Sequence, residues 1–231
     1  MDLVDFHSHI IPRADHGSDS VSTSKMQLQL AESYGVARIV ATPHFYPQRT
    51  DVESFIAKRS RGYSALREEL DDNAPQIILG AEVLYCDNLE NLPSLDKLCL
   101  GNSRTLLLEL PFTDFGREVR RTIDALIDDG FEILLAHVDR YAPENIDLLL
   151  RDGVKMQLNA VSLNTFFRNK QLYEWIDAGF VVALGSDIHN ADEKAYKSFQ
   201  KAQKKLGTYL DIISKRSDKL WRAISAAPVH K

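Results

Sequence analysis

The chain has 231 residues, 44% of them hydrophobic, and a formal net charge of −5. This length can bury a full core in one α/β domain, and the negative balance argues against a nucleic-acid surface, which normally shows a basic patch. No stretch approaches the roughly 18 consecutive apolar residues of a membrane span, so no membrane insertion is expected.

Met1 runs directly into a strand-like segment without the basic and apolar regions of a secretory leader, which sets the expectation of a cytoplasmic protein. No Pro/Gly/Ser-rich linker or long single-sign charge run divides the sequence, so residues 1–231 are expected to form a single domain. Cys86 and Cys99 lie in unlike contexts and read as reduced, semi-buried thiols without a catalytic role.

Seven apolar runs rich in β-branched residues predict strands over Leu3–His9, Ala37–Thr42, Gln76–Val83, Arg104–Leu110, Glu132–Val138, Val154–Ala160 and Phe180–Ser186. Near-continuous apolarity, as in Ile133-Leu134-Leu135-Ala136, suits parallel strands covered on both faces. Helical patterns fall between them. Ser20 or Ser22 is placed to cap a helix with Met26, Leu30 and Tyr34 on one face, ended by Gly35. Thr50-Asp51-Val52-Glu53 resembles a capping box ahead of Phe55, Ile56, Tyr63, Leu66 and Leu70. A third stripe runs from Gly116 to Asp129 and stops at Gly130. Pro143 opens a short helix that ends near Gly153, and Leu172, Trp175 and Ile176 precede Gly179. Ser214–Ala227 is helical in pattern and packs either on the domain or against another subunit, so an oligomer is open. Repeated alternation of strand and helix predicts an α/β fold with a parallel sheet. A closed barrel is favoured over an open sheet, because no glycine-rich phosphate loop follows the first strand and polar residues end nearly every strand.

Those strand ends carry the chemistry. His7 and His9 lie two apart on an extended segment, so their imidazoles face one side. Then follow His16, His44, Glu82, Glu109, His137, Asp187 and His189, with only His230 of the histidines standing apart in the tail. Glu82 and Glu109 interrupt runs that should be buried, where an uncompensated carboxylate is expensive. A set of imidazoles and carboxylates without thiolate suits Mn²⁺, Fe²⁺ or Zn²⁺ in a hydrolytic site. The set is too large for one open catalytic ion, so two or three ions with a bridging carboxylate are expected.

The succession His7-Ser8-His9, Asp15-His16-Gly17, Thr42-Pro43-His44, Gly80-Ala81-Glu82, Glu109-Leu110-Pro111, His137-Val138-Asp139-Arg140 and Asp187-Ile188-His189 resembles the polymerase-and-histidinol-phosphatase (PHP) superfamily. Within it the chain is most similar to bacterial metal-dependent protein-tyrosine phosphatases associated with capsular or exopolysaccharide synthesis. The resemblance implies a distorted (β/α)7 barrel with three divalent ions, commonly manganese or iron. It implies that His7, His9, Glu82 and Asp187 hold one ion, Glu82, Glu109 and His137 a second, and His16, His44 and His189 a third. Close relatives often have Asp-Asp-Gly where this chain has Asp15-His16-Gly17, so His16 is taken as the ligand and Asp15 as the lesser alternative.

Arg140 is placed to grip phosphate with its planar fork, as catalytic and substrate-binding group. Lys194 stands where relatives often carry a second arginine and is a weaker substrate-binding candidate. Asn159 either orients a ligand or substrate or serves packing. The implied reaction is in-line attack of a metal-activated hydroxide on the phosphorus of a phosphotyrosine protein, by resemblance an autophosphorylated tyrosine kinase of polysaccharide export. The alternatives are a small-molecule phosphatase of the histidinol-phosphate type, an amidohydrolase, and a non-catalytic metal-binding partner protein.

Overall fold

Parallel strand pairing organises the chain. The computed structural model describes residues 3–112, 116–164 and 170–226. In chain order the strands and α-helices are β1 (Leu3–Ser8), α1 (Val21–Ser33), β2 (Val36–Ala41), β3 (His44–Phe45), α2 (Val52–Arg67), β4 (Gln76–Leu79), β5 (Glu82–Leu84), β6 (Thr105–Glu109), α3 (Arg117–Asp128), β7 (Glu132–Leu135), α4 (Pro143–Asp147), β8 (Val154–Asn159), α5 (Lys170–Asp177), β9 (Val181–Gly185), α6 (Glu193–Leu206) and α7 (Thr208–Ser225). They form two parallel sheets, of order β1-β2-β4 and β3-β5-β6-β7-β8-β9.

Two sheets appear where one was expected. The second predicted strand ends before Pro43, which has no N–H to donate, and a short unpredicted strand, β3, follows it. The predicted Gln76–Val83 run is split at Gly80-Ala81, where the guanidinium of buried Arg59 donates to the Gly80 carbonyl at 2.6 Å. A Cβ at Gly80 would lie 2.5 Å from Leu100 Cδ2, so the glycine permits this close pass. Main-chain hydrogen bonds carry the pairing across the breaks, from Thr42 N–H to Ser8 O, Gly80 N–H to Ala41 O and Glu82 N–H to Pro43 O. Between the last strand and the first, no ladder forms among the described residues. An isolated parallel bridge, Ser8 with Ile188, joins them. It is flanked by hydrogen bonds from Asp187 N–H to His7 O (2.8 Å) and from His9 N–H to Ile188 O (3.0 Å).

The helix ends show which side chains win the capping contest. Ser20 caps α1 by accepting from Thr23 N–H. Asp51, not Thr50, caps α2 and accepts from Ser54 N–H at 2.8 Å. Pro143 does open α4, but that helix stops at Asp147 rather than running to Gly153. On α1 the buried face is Ser24, Gln27, Leu28 and Ala31; of the predicted stripe, Leu30 and Tyr34 are half-buried against the core and Met26 is 46% exposed.

Two apolar clusters separate the layers. The larger lies between strands and helices and includes Ile39, Leu106, Leu108, Ile133, Met156, Trp175 and Phe199. The smaller joins Val4, Phe6, Val40, Leu107, Leu134 and Val182 to Trp221 and Ile224 of α7. The last helix therefore packs on the strands of its own chain; it begins earlier than the predicted Ser214, and Ala227, like His230, lies outside the described residues. Near strand starts, Arg38 pairs with Asp218 at 2.6 Å, and Asn102 N–H donates to Ile224 O at 2.9 Å. The Arg38 guanidinium also lies 5.6 Å from the Trp221 ring centroid. Replacing Trp221 by Ala empties this end of the core and should cost about 3 kcal/mol or more. Urea unfolding of the two proteins measures it, and an unchanged midpoint would contradict the packing role.

Candidate metal centre

The predicted side chains gather at one end of the sheets. His7 is the last but one residue of β1 and His9 follows the strand; His44 and Glu82 open the short β3 and β5, just beyond the ends of β2 and β4; Glu109 ends β6, and His137 and Asp187 follow β7 and β9. Glu82 is the hub, only 1% exposed. Its Oε2 lies 3.1 Å from His7 Nε2, 3.3 Å from His9 Nε2 and 2.8 Å from His44 Nδ1. Its Oε1 lies 2.9 Å from His137 Nε2. Glu109 stands 3.6 Å from His137 Nε2 and 3.8 Å from His44 Nδ1. Asp187 Oδ1 is 3.6 Å from His7 Nε2 and 3.4 Å from His9 Nε2. His189 Nε2 is 3.3 Å from His44 Nε2.

Hydrogen bonds behind the imidazoles decide which nitrogen faces inward. His9 Nδ1–H donates to Asp15 Oδ2 at 2.6 Å, and His189 Nδ1–H to the Asp187 carbonyl at 3.0 Å, so each leaves Nε2 as the inward lone pair. His7 Nε2 and His9 Nε2 are 3.1 Å apart. Two protonated nitrogens at that distance would repel, whereas two lone pairs suit a shared cation. Despite its close neighbours, Glu82 Oε2 makes no aligned hydrogen bond among the described residues, nor does His44 Nδ1. Three donor groups, His9-His44-His189, His7-His9-Glu82 and His44-Glu82-Glu109, each have their ligand atoms within 4.8 Å of one another. Convergent unpaired donors of this kind fit divalent cations.

The remaining candidates take distinct places. His16 is exposed, and its ring lies 4.7 Å from the rings of His44 and His189. Asp15 uses both oxygens in hydrogen bonds, Oδ2 accepting from His9 and from His44 N–H and Oδ1 from Gly17 N–H. Arg140 is at the site, donating to Asp187 Oδ2, and Asn159 Nδ2–H reaches the same oxygen at 3.0 Å. Lys194 is exposed, and among the described residues its ammonium makes no contact with the cluster. Both cysteines are free, as predicted; Cys86 is half-buried but Cys99 is buried outright, which pushes its thiol up to about 12.

Charge inside the cluster is tightly balanced. Burial disfavours ionised Glu82, but the facing imidazoles, His7 first, outweigh it and hold the carboxyl well below its usual range. With no cation bound, burial likewise opposes a charged His7, yet Glu82 and Asp187 raise it to about 9, so a cation at Nε2 would take the place of a proton there. Burial, then the charge on Glu82, raises Glu109.

Sequence reasoning missed a supporting layer. Asp5 is wholly buried, its Oδ1 accepting from His7 N–H and Ser186 N–H, its Oδ2 from the hydroxyls of Ser186 and Tyr196. Gln157 is wholly buried beside His7 and His137. Both interrupt apolar strands, which is the signal that singled out Glu82 and Glu109.

Parallel strands with histidines and carboxylates converging at one end define an α/β protein with a candidate metal centre. Residues 3–217 match the model of the capsular polysaccharide synthesis, CpsB/CapC family. The chain belongs to that family. It is 30% identical over 210 residues to the tyrosine-protein phosphatase CpsB of Streptococcus pneumoniae, spanning 83% of this chain and 85% of the relative. It is 25% identical over 204 residues to the tyrosine-protein phosphatase YwqE of Bacillus subtilis, spanning 84% and 80%. Its fold matches, with a TM-score of 0.76 at 20% identity over 99% of this chain and 100% of the other, a structure from work on YwqE of Bacillus subtilis and CpsB of Streptococcus pneumoniae, described as unique metal-dependent tyrosine phosphatases.

One pH dependence follows from His189, which burial and then the charge of His9 push down to about 4 from the usual 6.5. The unfolded chain then binds a proton that the folded chain refuses, so the metal-free protein loses stability from this group as pH falls from about 6.5 towards about 4. His189→Gln should flatten that part of the stability curve, measured by urea unfolding across the window after chelation. Parallel curves would contradict the assignment.

Proposed function

We propose that this chain is a metal-dependent phosphatase that removes phosphate from tyrosine in proteins, within a distorted (β/α)7 barrel formed by residues 1–231 as a single domain. The bridge between Ser8 and Ile188 and its flanking hydrogen bonds support closure of that barrel. The observation that carries the reading is the convergence of His7, His9 and His44 on Glu82 Oε2, an oxygen without an aligned hydrogen bond among the described residues. Membership of the CpsB/CapC family, with relatives named as tyrosine-protein phosphatases, supports the substrate class.

Three divalent ions, manganese by preference, are proposed for these donors. His7, His9, Glu82 and Asp187 would hold one, Glu82, Glu109 and His137 a second, and His16, His44 and His189 a third. Bound there, divalent cations supply a water nucleophile at neutral pH and neutralise charge on phosphoryl oxygens. The chain's own residues do the rest. Arg140 sits beside Asp187 with its side chain 38% exposed, and its remaining N–H groups are free among the described residues to bind phosphoryl oxygens in a planar fork. Asn159 and Arg140 together fix Asp187 Oδ2, which leaves Oδ1 turned towards His7 and His9. The Tyr46 ring stacks on His44 at 5.1 Å, and Phe112, 69% exposed, lies 5.8 Å from the Tyr141 ring, so aromatic surface borders the polar cluster. A tyrosine phenolate, with a pKa of about 10, leaves without a strong general acid.

The substrate is proposed to be a phosphotyrosine protein, an autophosphorylated tyrosine kinase of polysaccharide export, met in the cytoplasm. No helix among the described residues is long and apolar enough to cross a membrane. Chelation should abolish hydrolysis of an aryl phosphate and Mn²⁺ should restore it, while His137→Ala and Asp187→Ala should abolish the Mn²⁺-stimulated rate and still unfold cooperatively. Full activity in either variant would reject these ligands, and faster turnover of histidinol phosphate than of a phosphotyrosine peptide would reject the substrate class. Arg140→Ala should lower kcat/KM by about 10- to 100-fold, the worth of a charge-assisted contact.

A further inference from the structure

Gln157 lies on β8, wholly buried, and both polar atoms of its side-chain amide are hydrogen-bonded. Its Oε1 accepts from the main-chain N–H of His137 at 2.7 Å and faces His7 Nδ1 at 3.1 Å. A peptide N–H can only donate, so the amide oxygen is the atom turned to both histidines. His7 Nδ1 must then carry a hydrogen, and Nε2 is the nitrogen presented to Glu82 and His9. On the other side Gln157 Nε2–H donates to Asn159 Oδ1 at 3.0 Å, and Asn159 Nδ2–H donates to Asp187 Oδ2 at 3.0 Å. One amide thus reaches groups at the ends of β1, β7 and, through Asn159, β9.

Three further observations separate this from ordinary burial of a glutamine. A Cβ at Gly185 would lie 2.4 Å from Gln157 Nε2 and 2.5 Å from His7 Cβ, so the neighbouring strand is cut to the size of this pair. Gln27, also wholly buried, has neither side-chain polar atom hydrogen-bonded among the described residues. His137 moreover holds a left-handed backbone, φ 33°, which a non-glycine residue adopts only when its surroundings impose it.

We propose that Gln157 is a positioning residue of the metal centre: it fixes the His7 tautomer, clamps the left-handed His137 peptide and, through Asn159, orients Asp187. The proposal rests on the metal-centre reading above. Gln157→Met keeps the side-chain length and removes the amide. In metal-free protein, wild type should show a slowly exchanging His7 Nδ1–H resonance in ¹H–¹⁵N spectra, lost in Gln157→Met and restored in Gln157→Glu, which keeps the acceptor oxygen. Calorimetric titration with Mn²⁺ should give binding about 10- to 100-fold weaker for Gln157→Met than for wild type. Wild-type Mn²⁺ affinity together with an unchanged His7 Nδ1–H resonance in Gln157→Met would overturn the proposal. If that variant does not fold, Gln157→Asn, one carbon too short to reach both histidines, takes its place: weaker Mn²⁺ binding and a lost resonance support the proposal, and wild-type values of both overturn it. Absence of Mn²⁺ binding by wild type would instead sink the metal-centre reading, and the resonance would still decide whether Gln157 holds His7.

Discussion

Burying the carboxylate of Glu82 is the constraint around which the molecule is built. Taking such a group out of water costs several kcal/mol unless opposite charge and directed donors replace the lost hydration. Four imidazoles face it here, from β1, the residue after it, β3 and the end of β7. Meeting them requires β5 to begin at Glu82 and not continue straight from β4. The break at Gly80-Ala81, secured by Arg59, is thus a demand of the site expressed in the sheet.

The same demand explains the backbone at the strand ends. His137 and Asp187 both adopt positive φ, 33° and 54°, which costs a non-glycine residue on the order of 1–2 kcal/mol. Each is held through its main-chain N–H, that of His137 donating to the side-chain Oε1 of Gln157 and that of Asp187 to the His7 carbonyl. The strain ends β7 and β9 abruptly and turns each side chain onto the cluster. A straight strand would have carried the next residues onward past it.

Much of this is legible in the sequence. Histidines at successive strand ends and carboxylates inside apolar runs are visible because hydrophobic pattern fixes where a strand lies, and a polar residue that breaks it needs a compensating partner. The strand splits are less legible, since a run such as Gln76–Val83 looks continuous until Arg59, 21 residues from Gly80, claims its carbonyl. Cap choice between Thr50 and Asp51 turns on one residue of register, and the face of α1 on the packing of its neighbours. Asp5 and Gln157 carry the right signal, a polar residue in an apolar strand, but their types are not those usually sought as ligands. The positive φ of His137 and Asp187 cannot be read at all, because long-range partners impose it.

The hydrogen bonds between His7 and Asp187 and between His9 and Ile188 join stretches about 180 residues apart. No fragment of the chain therefore owns the pocket. A nascent or partly unfolded molecule would lack the assembled set of donors, so capture of ions would itself report completed folding. An unfinished copy would have no means of cutting phosphate from the wrong protein.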